Sequence, residues 1–146
     1  MLHRDDFTET TKQLLAKRVG FRCSNPMCRA ATSGPSDDPD KVVNLGVAAH
    51  ITAASEGGPR FGPDLSADKR SDSSNGIWLC QNCAKLIDSD TSRFSVHLLN
   101  SWKYAAEIAA KIELGRNTNT SSVSNFQDAL SSMPELLMDM ARALKD

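Results

Sequence analysis

The chain has 146 residues, room for one domain with a modest core, and only 5% of them are aromatic. A net charge of −1 excludes capture of nucleic acid by overall electrostatic attraction, so any such contact must come from a local basic patch. No apolar run is long enough to span a bilayer, and the opening MLHRDDFTETTK is too polar for a secretion signal; a cytoplasmic location without a membrane partner is expected.

Residues 7–19, FTETTKQLLAKRV, set Phe7, Leu14, Leu15 and Val19 at roughly helical spacing. They predict a short helix packed on the core, with threonines to cap it and Gly20 to end it. Residues 21–23 then run extended into CSNPMC, where Asn25-Pro26 marks a turn between two cysteines. ATSGPSDDPDK, residues 31–41, is a solvated loop. KVVNLGVAAHI, residues 41–51, is predicted as one strand ending at His50, with Gly46 marking a bend or bulge.

Residues 52–74 carry Gly57-Gly58-Pro59 and Gly62-Pro63, and so predict a long irregular loop. Loops of that length inside a small domain tend to be functional or disordered. Arg60, Lys69 and Arg70 within it are candidate phosphate contacts, against the plainer reading of solvated surface charge. NGIWLC, residues 75–80, predicts a second strand, with Trp78 in the core, and AKLID then opens a short helix. FSVHLLNSWKYAAEIAAKIEL is the clearest helix, capped by Ser95, stapled by Phe94 onto Leu98 or Leu99, and stopped by Gly115. Its apolar face is predicted as Leu98, Leu99, Trp102, Ala105, Ala106, Ala109 and Ile112. Residues 115–125 read as a polar linker, and 126–146 as an amphipathic helical appendage that Pro134 breaks or kinks. That appendage needs a partner: the 1–114 domain, a second copy in a homo-oligomer, or a downstream effector.

The four cysteines are spaced Cys23-x4-Cys28 and Cys80-x2-Cys83. In a reducing compartment two disulfides are not expected. Two close pairs on turns, separated by a long insert, match a tetrahedral site for structural Zn²⁺; the alternative is four buried free thiols.

In order, CSNPMC, GVAAHI, SSNGIWLCQNC and KLID resemble the HNH endonucleases of the ββα-metal class. ITAASEGGPRFGP and RFSVHLLNSWKYAAE extend the likeness to a bacterial subfamily that includes modules fused to anti-phage effectors. The likeness covers about residues 7–113. It implies a small zinc-stapled α+β domain that hydrolyses DNA phosphodiesters with a divalent cation such as Mg²⁺. It also implies that His50 is the base and that Asn75 ties the loop or the imidazole in place. Two positions depart from the family. Ala49 stands where an aspartate often precedes the base, and Ala84 where a histidine or asparagine commonly follows the second knuckle cysteine. A methyl group ligates no metal. Asp88 lies one helical turn beyond Ala84 on the same face, with Asp90 following, and a carboxylate suits Mg²⁺ or Mn²⁺. Two readings of Asp88 stand side by side: displaced cation ligand, or solvated end of a short helix. Three readings of the chain follow: an HNH-type nuclease, a degenerate module that binds nucleic acid or protein without cutting, or a purely structural zinc domain that anchors the partner of the tail helix. His3 and His97 have no partner in the pattern.

Overall fold

In the computed structural model the described residues are 4–116. Helix α1, Glu9–Arg18, begins where the Thr8 hydroxyl accepts the Thr11 N–H at 3.1 Å. Its buried side chains are Leu15 and Ala16, followed by Val19, whereas Leu14 stays largely exposed. Gly20 and Phe21 both adopt positive φ, +62° and +59°, which turns the chain back on itself towards the first cysteine pair.

Two small antiparallel sheets follow. The first pairs β1, Ser33–Pro35, with β2, Val42–Asn44. The second pairs β3, Gly46–His50, with β4, Gly76–Cys80, in the register Gly46↔Cys80, Ala48↔Trp78 and His50↔Gly76. The single strand expected over 41–51 is thus two strands in two sheets, separated at Leu45, whose N–H turns aside to the Thr32 carbonyl. The reason lies at Gly46, where a Cβ would fall 2.0 Å from the Trp78 ring. Only glycine lets β3 start against the indole.

The long loop is partly structured. It holds a one-turn helix α2, Ala67–Arg70, and a 3₁₀ turn at Ser73–Asn75. Helix α3, Gln81–Ser89, starts directly after β4, three residues earlier than the AKLID pattern suggests, because Cys80 caps it: its Sγ accepts the Cys83 N–H at 3.4 Å. Helix α4, Val96–Glu113, is capped by Ser95, whose hydroxyl accepts the Leu98 N–H at 3.2 Å. Its buried stripe is Leu99, Trp102 and Ala106; Ala105 and Ile112 of the expected face are exposed. Lys103 flanks the buried stripe, and its ammonium donates to the Ser73 and Gly76 carbonyls at 2.9 and 2.6 Å.

The period-two alternation of β4 divides the core. Ile77 and Leu79 join Ile51, Ile87, Phe94 and Leu99 on one face. Trp78 joins Phe7, Leu15, Val19 and Ala106 on the other. The chain divides into compact units at 1–111 and 112–146; within the second, the described part ends the helix at Gly115, φ +67°. The expected appendage at 126–146, most of the linker before it, and His3 lie outside the described residues. Among the described residues no helix is long and apolar enough to cross a membrane.

Candidate functional site

The first cysteine pair sits on the turn after α1, and the second spans the junction of β4 and α3. Their backbones are tied together: Ser24 N–H donates to the Trp78 carbonyl at 2.9 Å, next to β4's exit. As a result the four Sγ atoms of Cys23, Cys28, Cys80 and Cys83 lie within 4.8 Å of one another, with Cys28 and Cys80 3.9 Å apart. Zn–S bonds of about 2.3 Å place tetrahedral sulfurs about 3.8 Å apart, so the tetrad is the right size and donor type for zinc. Burial raises the Cys23 and Cys83 thiols above their ordinary pKa. At Cys80 burial acts in the same direction, but the Cys83 N–H and the neighbouring thiols outweigh it and lower the pKa. Asn25 adds an outer contact that spacing did not reveal. Its Oδ1 accepts the Met27 N–H, closing the turn, while its Nδ2 donates to Cys83 Sγ at 3.4 Å.

A cleft of about 230 Å³ opens beside the second sheet. His50, Ala49, Ala84 and Asp88 all line it, together with loop residues including Ala53 and Pro59. Residues 35 apart in sequence, Ala49 and Ala84 (one on β3, one on α3), therefore share one wall.

His50 is half-buried at the end of β3. Its ring stacks on Phe7 with centroids 3.9 Å apart and planes 9° from parallel. Its Nε2 lies 2.9 Å from the Asp5 carbonyl. A carbonyl only accepts, so Nε2 carries the proton and the neutral ring keeps its lone pair on Nδ1. Burial, the largest effect, lowers the His50 pKa, against the opposing pull of the Asp5 carbonyl. The imidazole is thereby kept in its neutral, proton-accepting form near pH 7.

Asn75 ties the loop rather than the imidazole. It is buried, its Oδ1 accepts the Thr52 N–H at 3.0 Å, and its Nδ2 donates to the Thr52 and Arg70 carbonyls at 2.9 and 3.0 Å. The loop is thus pinned at both ends, two residues after His50 and five before Asn75.

Arg60 is turned inward, its side chain 5% exposed and its backbone at φ +56°. Its guanidinium donates to the Ile51, Ile87 and Phe94 carbonyls and to Asp88 Oδ1 at 2.9 Å. Arg70 also points inward, donating to the Gly62 carbonyl and pairing with Asp5. Lys69 is exposed. Asp90 ends α3, where its Oδ1 accepts from Ser92 and the Arg93 N–H, and it does not line the cleft. His97 is exposed on α4. Among the described residues, the four cysteines are the one group of three or more His, Cys, Asp or Glu side chains whose ligand atoms converge. In the cleft a cation would meet two methyl groups, one carboxylate already paired with Arg60, and the single imidazole of His50. Those residues do not by themselves make a resident divalent-cation site.

The class these observations define is a small α+β domain with, among the described residues, two antiparallel sheets, four helices and a four-cysteine cluster able to hold zinc. No family model matches the chain, and no curated protein matches it.

Proposed function

We propose that β3, β4 and α3 form an HNH-like ββα module, and that the chain hydrolyses DNA phosphodiester bonds with His50 as general base. The observation that carries this reading is the state of His50. Its Nε2 meets the Asp5 carbonyl, which leaves Nδ1 of the neutral tautomer to hold the lone pair, and its ring is oriented by Phe7 at the edge of a cleft walled by α3. In this mechanism Nδ1 takes a proton from water, and the hydroxide attacks phosphorus. The bond to the leaving sugar oxygen breaks, and that oxygen takes a proton from solvent. Asn75 holds the loop that borders the reacting group. The family resemblance implies a divalent cation opposite the water. Because the cleft residues do not form a resident site for one, no step is assigned to it here.

A second reading has its own support. Ala49 and Ala84 meet in the cleft where the family places ligands, and Asp88 is engaged by Arg60. This favours a module that binds nucleic acid or a protein partner without cutting. Supercoiled plasmid incubated with the zinc-loaded protein and Mg²⁺, Mn²⁺ or Ni²⁺ separates the two. Nicking that disappears in His50→Ala, with zinc content unchanged, supports the nuclease. No cleavage with any of the three ions, together with cleavage by Ala84→His, decides for the non-cutting module. Equal cleavage by wild type and Asp88→Asn would keep the enzyme and remove Asp88 from it.

A further inference from the structure

The base histidine stands at a strand end, yet neither group that orients it belongs to the ββα unit. Both come from the segment ahead of α1: the carbonyl of Asp5 and the ring of Phe7. That segment is itself clamped to the long loop. The Asp5 N–H donates to the Ala54 carbonyl at 2.9 Å, and the Asp5 carboxylate meets the Arg70 guanidinium at 3.4 Å. The pair is sheltered, with side-chain exposures of 6% for Asp5 and 15% for Arg70. Arg70 is fixed in turn. Its guanidinium lies 4.5 Å over the Phe61 ring and donates to the Gly62 carbonyl, and its own carbonyl accepts from Asn75. One continuous set of contacts therefore runs from Asn75 through Arg70 and Asp5 to His50.

We propose that Arg70 and Asp5 are positioning residues for His50: their ion pair seats the segment whose carbonyl and aromatic ring hold the imidazole with Nδ1 free. The consequence for catalysis rests on His50 being the base, but the seating of the ring does not. Arg70 in this role is an internal strut, which separates it from the surface lysine beside it, Lys69. The charged groups around the ring are Arg4, Asp5 and Asp6 on the same segment, Arg70 behind Asp5, and Asp88 across the cleft on α3. Loosening the segment admits water to the ring, and removing the Arg70 charge lowers the local positive potential. Both changes move the His50 titration upward, and because burial is the largest effect on the ring they outweigh loss of the Asp5 carbonyl bond, which acts the other way.

The test is a nitrogen-detected histidine titration by NMR on the full, zinc-loaded chain, with His50 assigned by its loss in His50→Gln. Wild type should show a slowly exchanging Nε2–H and a midpoint below the ordinary value of about 6.5. In Arg70→Met the Nε2–H signal should be lost and the midpoint should rise towards that value. Arg70→Lys, which keeps the charge, should retain the signal in part. Zinc content and circular dichroism report whether each variant is folded. If Arg70→Met fails to fold, Asp5→Ala, which keeps the backbone carbonyl but removes the pair, decides on the Nε2–H signal alone. A folded variant whose His50 keeps both its Nε2–H and its midpoint overturns the proposal and leaves the ion pair a matter of stability only. The readout needs no cleavage, so an inactive protein with these NMR changes would sink the nuclease reading and leave the positioning role standing.

Discussion

At His50, protonation and folding are linked. Burial holds the imidazole below its ordinary pKa, so between that depressed value and about 6.5 the unfolded chain takes up a proton that the folded chain refuses. The stability contributed by the neutral ring is complete above the unfolded pKa, and it is lost as pH falls towards the folded one. The expected outcome is a loss of stability between about pH 7 and pH 5 that is smaller in His50→Gln, which cannot charge. Urea unfolding of both proteins across that range measures it; parallel curves would show that the ring carries no such cost. The same residue shows the limits of reading a sequence. The strand end and the following loop marked His50 as a candidate. Nothing in the spacing marked Asp5 or Phe7, because they reach the ring from more than forty residues away through folding alone.

Among the elements, the second sheet and α3 form the frame, and their fit depends on a close approach at Gly46. Gly46→Ala would drive a methyl into the Trp78 ring, itself held by its Nε1–H on the Thr32 hydroxyl at 2.9 Å. Overpacking of this kind typically costs about 1–3 kcal/mol, and a backbone this near the ring puts the change at the upper end. Thermal unfolding of Gly46→Ala should show the loss, and near-ultraviolet dichroism should show a disturbed Trp78. An unchanged melting temperature would mean that β3 can shift without cost. A comparable dependence holds at the far end of β4. Lys103 is half-buried with a pKa lowered chiefly by desolvation, yet its ammonium donates to the Gly76 carbonyl and to the Ser73 carbonyl, which also accepts the Gly76 N–H. Lys103→Met should therefore destabilise by about 1–3 kcal/mol, the cost of taking the ammonium from the Gly76 carbonyl of a buried residue. Its urea midpoint would be compared with that of an exposed control, Lys111→Met.

For the molecule as a whole, the cysteine cluster joins the turn after α1 to the start of α3, and both hydrophobic clusters lie between Phe7 and Ala106. With so few aromatic side chains, zinc is expected to carry much of the folding free energy; structural zinc in small domains supplies on the order of 10 kcal/mol. A strong chelator should therefore remove helicity along with the metal, and Cys80→Ser, whose hydroxyl can still cap α3 but is a poor zinc ligand, should lower zinc content and with it helicity. Protein prepared without chelator and found free of zinc would refute the assignment. Because the clusters close before the end of α4, a chain truncated after Leu114 should keep its zinc and its circular dichroism spectrum. Unfolding of that chain would show that residues beyond 114 belong to the core.

The sequence by itself determined the helices with strong caps and stops. Thr8 and Ser95 begin α1 and α4, and Gly20 and Gly115 follow their ends, because those signals act within one turn of the backbone. It also determined the cysteine pairs, since two thiols on one tight turn are already near each other before the chain folds. The split of residues 41–51 into two sheets was not legible. Alternating apolar residues look alike on either strand, and only the Trp78 ring against Gly46 divides them. The direction of Arg60 and Arg70 was equally closed to inspection. A cation in a polar loop reads as surface until the fold brings buried carbonyls and a carboxylate to it. Tertiary structure alone decided the cleft. It set His50, Ala49, Ala84 and Asp88 around one space, a convergence that arises when an antiparallel strand pair and the helix after it close across residues far apart in the chain.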